Sequence, residues 1–310
     1  MAKQTTALIG IYTLTPLHMG TGQATGAVDL PVAREHHTGF PVIPATGIKG
    51  RARDGFEAAL GKKDKQVVRL FGPDLQEGDK GKDVAAGGLV FTEAQLVALP
   101  LRSLNLPLAW CTSRLVLERL ARNLDTFGCA SLLDIKGHLN NLAEDKAYVS
   151  RAMDDKVLVI EDMTFTDQEV IAGRQDIRDL AETLATLLPD AAGDDGTRER
   201  FHRSLVILPD REFQRLADRG LPVQARIKLT EKKTNDNLWY EETVAQDTLF
   251  AGFVLNRPGG KGDMVADFVD QVQVKKNPDL SVVQLGGNET VGQGWCWCQV
   301  RSAEAMDQSA

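Results

Sequence analysis

Runs of β-branched and aromatic residues recur along this chain, and many are linked by only a few residues. Such short links join antiparallel strands, because a parallel pair needs a crossover of a dozen residues or more. The series opens with ALIGIYTLT at 7–15 and continues at 89–101, 157–165, 205–208, 223–230, 238–244, 249–255, 282–285 and 294–300. The pair 223–230 and 238–244 reads as a hairpin around 233–237. Helices are expected at 46–60, 62–70, 113–124, 174–188, 212–217 and 263–272. Thr46 is the candidate N-cap of the first, and Leu115, Val116, Leu120 and Leu124 give the third an apolar stripe. Helices scattered among hairpin-linked strands make α+β the expected class, against a doubly wound parallel sheet. Residues 72–88 and 189–196 read as polar loops, and 125–156 as an inserted excursion outside the core. No repeat period or low-complexity linker divides the chain, so one domain, 1–310, is expected, with its least regular insertions between 72 and 200.

Several function classes are disfavoured. No apolar run reaches the roughly 20 residues of a membrane helix, and the opening MAKQTTALIGIYTLTP lacks the marks of a signal peptide, so a cytoplasmic protein without a membrane partner is expected. Cys111, Cys129, Cys296 and Cys298 have no paired ligand spacing, and the last two alternate with Trp295 and Trp297 as on one strand. They read as buried thiols, with no structural metal site. GTGQATG at 20–26 has the wrong spacing for a dinucleotide loop and is followed by VDLPV, not by a helix; no phosphate loop with GK[ST] is present either. No organic cofactor is expected.

The net charge of −7 argues against a uniformly basic nucleic-acid binder. Its distribution is uneven, however. Residues 31–70 hold eight Lys/Arg against four acids, whereas 154–200 hold thirteen acids against five bases. That segregation permits a basic groove on an acidic body.

Three local sequences carry the chemistry: YTLTPLHMGTG at 12–22, VDLPVAREHHTGFPVIPATGIKG at 28–50, and LGGNETVGQG at 285–294. In the second, GIKG opens a helix whose free N–H groups, with Lys49, suit a phosphate. In the third, consecutive small residues can wrap an anion or simply turn a hairpin. Asp29 sits in a loop before Pro31, and a lone loop aspartate is by itself a turn residue as readily as a catalyst. His18 can orient a phosphate or act as an acid. His36 and His37 are adjacent, a poor spacing for one metal, and read as braces of the loop.

In this order, and together with LWYEETVAQDTLF at 238–250, these sequences resemble the repeated backbone subunits of type III-B CRISPR effectors, the Cmr complexes, within the RAMP superfamily. His36 and Ala45 stand where that family commonly has arginine and glycine. The resemblance implies a ferredoxin-like (RRM-like) palm with inserted helices and a β-hairpin thumb. It also implies copies stacked along a guide RNA beside other subunits of the complex, and an endoribonuclease that cuts guide-paired, single-stranded target RNA at regular intervals. The rivals are an architectural subunit that binds guide without cutting, and a stand-alone guide-processing endoribonuclease. The implied catalytic residue is Asp29, alone or holding a divalent magnesium or manganese ion. His18, Tyr240, Glu241 and Glu242 would lie close to the target, with Tyr240 and Glu242 on one strand face and Glu241 on the other. Guide contacts would come from Gly20, Gly22, Arg34, Gly47, Lys49, Gly50, Arg53, Gly286, Gly287, Asn288 and Gly292.

Overall fold

The computed structural model describes residues 5–22, 26–74, 86–155, 157–188, 196–231, 234–259, 262–274 and 281–303. Most of the polar loops expected at 72–88 and 189–196, and residues 23–25 of the glycine-rich loop, lie outside that set. The strands are β1 (Thr6–Thr13), β2 (Val42–Ile43), β3 (Leu89–Phe91), β4 (Ala94–Leu101), β5 (Ala109–Ser113), β6 (Ala147–Val149), β7 (Leu158–Ile160) and β8 (Met163–Phe165). They continue with β9 (Val170–Ala172), β10 (Leu205–Leu208), β11 (Val223–Leu229), β12 (Asn235–Glu242), β13 (Leu249–Asn256), β14 (Val282–Gln284) and β15 (Trp295–Ala303). The helices are α1 (Ala45–Leu60), α2 (Lys65–Phe71), α3 (Arg114–Thr126), α4 (Lys136–Leu139), α5 (Gln175–Ala185), α6 (Thr197–Ser204), α7 (Asp210–Arg219) and α8 (Met264–Val269).

An 11-stranded mixed sheet runs β14-β15-β1-β13-β4-β5-β10-β6-β9, with β2 attached to β4 and β3 to β13. Pairing from β14 to β5 is antiparallel, and β5/β10 and β6/β9 are parallel. The α+β expectation therefore holds. Alternation along β1 explains how one sheet serves two cores. Ala7, Ile9 and Ile11 face a core built with α1, α2 and α8, while Leu8 and Tyr12 face another built with α3, α5 and α6. In the first core, the Phe56 and Phe268 rings stack with centroids 5.5 Å apart, joining α1 to α8. On the other face, Gly10 admits the chain after α5: a Cβ there would lie 2.3 Å from the Leu187 carbonyl oxygen.

The structure corrects several sequence expectations. The first helix begins at Ala45, with Pro44 as its cap residue, and Thr46 lies within its first turn. Proline carries no side-chain acceptor, so no side-chain cap forms there. On α3, Leu115 is exposed and Leu117 takes its place in the core, with Ser113 accepting from Val116 N–H as the cap. The stretch at 125–156 is not an excursion. It supplies β6, whose Tyr148 is buried in the second core, and its backbone pairs with β10 and β9. Short strands flanked by polar residues leave little periodicity to read. The segments at 89–101 and 157–165 each split in two, as β3–β4 and the hairpin β7–β8.

One ion pair fastens the loop before α1 to the second half of the sheet. Arg119 on α3 grips Glu35 through both guanidinium ends, at 2.8 and 2.6 Å, and Thr38 donates to the same carboxylate at 2.6 Å. Burial of Glu35 raises its carboxyl pKa, but the hydrogen bonds from Arg119 and Thr38, with the charges of Arg119 and His37, outweigh it and leave it below the ordinary 4.5. Breaking such a buried pair on one side leaves an uncompensated charge and costs about 3–5 kcal/mol. Arg119→Ala is therefore expected to lower unfolding free energy by about 3 kcal/mol in urea titrations. A depressed folded pKa stabilises above the unfolded value and loses that increment as pH falls through the folded one. Glu35→Gln should accordingly flatten the drop in melting temperature below pH 4.5.

Candidate functional site

Four segments converge where β1 ends: the loop at 14–34, the start of α1, the base of the β11–β12 hairpin, and the loop at 285–294. His18 and Met19 lie at their junction. The His18 carbonyl accepts from Gly287 N–H at 3.0 Å, and its ring Nδ1 lies 2.7 Å from the Glu242 carbonyl oxygen. The Met19 carbonyl accepts from Ala33 N–H at 2.6 Å. A Cβ on Gly47 would meet the Met19 methyl at 2.9 Å, so a small residue lets α1 dock on this loop. Leu17 and Val244 exchange backbone hydrogen bonds of 2.9 and 2.8 Å, tying the loop to the strand beyond the hairpin. His18 is buried, so its reachable role is to hold these segments together.

The hairpin base fixes Asp29. The Asp29 and Leu30 amides both donate to the Tyr240 carbonyl at 3.1 Å, and Tyr240 N–H donates to Asp29 Oδ2 at 2.7 Å. Asp29 is exposed, and Oδ1 carries no protein hydrogen bond among the described residues. The rest of the loop is secured by Glu242. Its carboxylate accepts from Val32 N–H at 3.0 Å and from the Arg34 guanidinium at 2.6 Å, while its own N–H donates to the Leu30 carbonyl at 3.0 Å. Arg34 also donates to the carbonyls of Gly39 and Ala217 at 2.6 and 2.9 Å, so its guanidinium acts inside the fold.

Glu241 is buried too and joins three elements. Asn288 donates to it, Arg226 of β11 lies 3.6 Å away, and His18 Nδ1 lies 4.0 Å away. Strand alternation puts the two glutamates on opposite faces and leaves open which face is covered. The strand enters the body at this point, so Glu241 meets the 285–294 loop and Glu242 the 29–34 loop, and both are covered. Tyr240, one residue earlier, remains 45% exposed.

Sites expected on α1 and in the glycine loops are variously placed. Gly20, Gly22, Gly50, Gly287 and Gly292 are at least partly exposed, and Gly47, Lys49 and Arg53 are half-buried. Arg53 Nε pairs with Glu57 at 2.6 Å. Sequence reading missed Arg51, whose buried Nε has no hydrogen-bond partner, as has Arg53 Nη2. The signal was available in the RAR spacing that follows GIKG. Asn288 and Gly292 adopt left-handed backbone angles at the two ends of a short 3-10 turn.

The chain offers a cation little on its own: no group of three or more His, Cys, Asp or Glu side chains able to hold a metal occurs among the described residues. The four cysteines are free thiols. Burial pushes Cys129 up to about 11 and Cys298 up to about 12, which makes both poor nucleophiles. Among the described residues, no helix is long and apolar enough to cross a membrane.

Gly286 gives this junction a direct test. Its φ is +77°, and a Cβ would lie 2.2 Å from the His18 carbonyl oxygen. The left-handed backbone alone costs a side chain about 1–2 kcal/mol, and the clash adds to it. Gly286→Ala should lower the melting temperature measurably, whereas Gly287→Ala, whose added methyl meets nothing closer than 3.9 Å, should be nearly neutral.

A family model for the RAMP superfamily matches residues 10–297. Over 291 residues the chain is 31% identical to the CRISPR system Cmr endoribonuclease Cmr4 of Pyrococcus furiosus, covering 93% of each. Its fold matches the crystal structure of oligomeric Cmr4 from Pyrococcus furiosus with TM-score 0.69 and 27% identity, covering 97% of this chain and 99% of that one. It also matches a chain in a type III-B Cmr-beta structure bound to cognate target RNA, with TM-score 0.72 and 22% identity, covering 95% and 96%. The chain belongs to the RAMP superfamily, in its Cmr4 branch.

Proposed function

We propose that this chain is the repeated backbone subunit of a type III-B CRISPR ribonucleoprotein, and that it cuts guide-paired target RNA with Asp29. The strand order β15-β1-β13-β4, with α1 between β1 and β4 and α8 between β13 and β15, supports a ferredoxin-like palm. The β11–β12 pair supports the thumb. It forms its own two-stranded sheet, and Val223, Ile227, Leu238 and Tyr240 are all exposed. Their register places them on one face, as pairs Ile227/Leu238 and Ala225/Tyr240. An uncovered apolar face of that kind marks a binding surface. A hairpin bearing it can wedge into a paired RNA.

The observation that carries the reading is the Asp29 carboxylate: exposed, held by one oxygen, free at the other, and next to the wedge. RNA carries its own nucleophile. A nucleotide displaced by the hairpin can align its 2′-oxygen with the adjacent phosphorus, and proximity of this type supplies up to about 7–11 kcal/mol. Asp29 Oδ1 accepts the 2′-hydroxyl proton as the 2′-oxygen–phosphorus bond forms. The phosphorus–5′-oxygen bond breaks, and the leaving oxygen takes a proton from water. The products are a 2′,3′-cyclic phosphate and a 5′-hydroxyl. His18, Glu241 and Glu242 act one step removed, by fixing the loop and the hairpin base.

A magnesium or manganese ion fits as a partner shared with RNA, since no metal-holding group of three or more such side chains occurs among the described residues, Asp29 offers a free carboxylate oxygen, and such ions are commonly held by one or two carboxylates plus phosphates. When bound, it would neutralise charge on the phosphate.

Asp29→Asn in the assembled complex is expected to abolish target cutting at every interval while target affinity stays within a few-fold; continued cutting would refute the assignment. Guide binding is expected to use Lys49 and the start of α1, beside the unpartnered Arg51 Nε. Lys49→Glu should weaken guide retention and reduce the slope of log affinity against log salt by about 0.7 per contact. An unchanged slope removes Lys49 from the interface.

A further inference from the structure

The end of β15 carries an apolar shelf that the cleavage site does not use. Trp295 is 37% exposed, and Leu14, hydrogen-bonded to its backbone, is 38% exposed. The backbone fixes the arrangement: Leu14 and Thr15 N–H groups donate to the Trp295 carbonyl at 2.8 and 3.3 Å, and Trp295 N–H donates to Thr15 Oγ1 at 3.0 Å. On the edge side, Trp295 stands opposite Gln284 of β14. Trp297 shares its strand face but packs against the second core, so Trp295 is the tryptophan of this strand that presents a ring to solvent.

The surroundings say what kind of partner suits this ring. Residues 282–300 contain no Lys or Arg and one acid, Glu289, so this segment brings no cationic side chain of its own to a phosphate. The glycine-rich loop at 285–294 leads directly into Trp295. A protein partner would need on the order of 800 Å² per side, far more than one ring and one leucine provide. A single nucleobase needs only one ring, and aromatic side chains that stack unpaired bases are a common device of RNA-binding sheets.

We propose that Trp295, with Leu14 beside it, is a stacking platform for an unpaired base of the RNA carried by the complex. The inference rests on the RNA-binding reading of the chain and adds an uncharged contact to it. Both guide and target present the same chemistry, so the test separates them.

The test compares Trp295→Ala and Trp295→Phe in the reconstituted complex, reading guide retention without target and then target affinity at saturating guide. Trp295→Ala should weaken one of the two RNAs on the order of 10-fold, and Trp295→Phe should restore most of the loss. The salt slope should stay at its wild-type value, because no phosphate contact is removed. Ultraviolet cross-linking of the wild-type complex should place an RNA adduct on Trp295, a readout independent of how the variants fold. Target bound at saturation should still be cut, since Asp29 is untouched; loss of cutting in Asp29→Asn tests the other reading separately. Unchanged affinity for both RNAs, a flattened salt slope, cross-links that fall elsewhere on the chain, or loss of copy-to-copy assembly with RNA binding intact would each overturn the proposal.

Discussion

A buried carboxylate must be met by donors or it destabilises the fold that buries it. Glu242 is such a group, and the donors it recruits are Val32 N–H and the Arg34 guanidinium. Meeting them draws the loop at 29–34 along the end of β12, where Asp29 and Leu30 bond to Tyr240. The position of the proposed catalytic oxygen is thus set by a charge buried behind it. Asp29 itself needs little local support beyond the Tyr240 backbone.

The neighbouring Glu241 does the corresponding work on the other side of the same strand, gathering Asn288 and Arg226. Two consecutive glutamates therefore bind two different loops to one hairpin. The loop at 285–294 and the Asp29 loop share one base, while the hairpin beyond them leaves its apolar residues exposed. A shared root and an uncovered surface beyond it suit an element that must hold its place against a nucleic acid.

Much of the architecture was legible because local chemistry and tertiary structure agree. Strands β10 at Leu205–Leu208 and β13 at Leu249–Asn256 are apolar runs with clear ends, and hairpin strand β11 shows alternation. The family reading followed from the loop sequences, whose residues do converge on His18 and Met19. What stayed hidden depended on partners distant in sequence. Nothing near Glu242 announces that Arg34 lies 2.6 Å away, and strand alternation placed Glu241 and Glu242 on opposite faces without saying that both faces are covered. Strand β6 was missed because three residues in a polar stretch carry no period. Arg51 was overlooked because an arginine on a helix is ordinarily solvated, and only packing shows its Nε to be enclosed.

The most direct measurement is the position of Asp29 in a structure of the assembled ribonucleoprotein holding guide and an uncleavable target. The account predicts Oδ1 within hydrogen-bond reach, about 2.6–3.2 Å or through one water, of the 2′-oxygen of a displaced target nucleotide. Asp29 turned to the rim of the particle, with no strand passing its carboxylate, would contradict it.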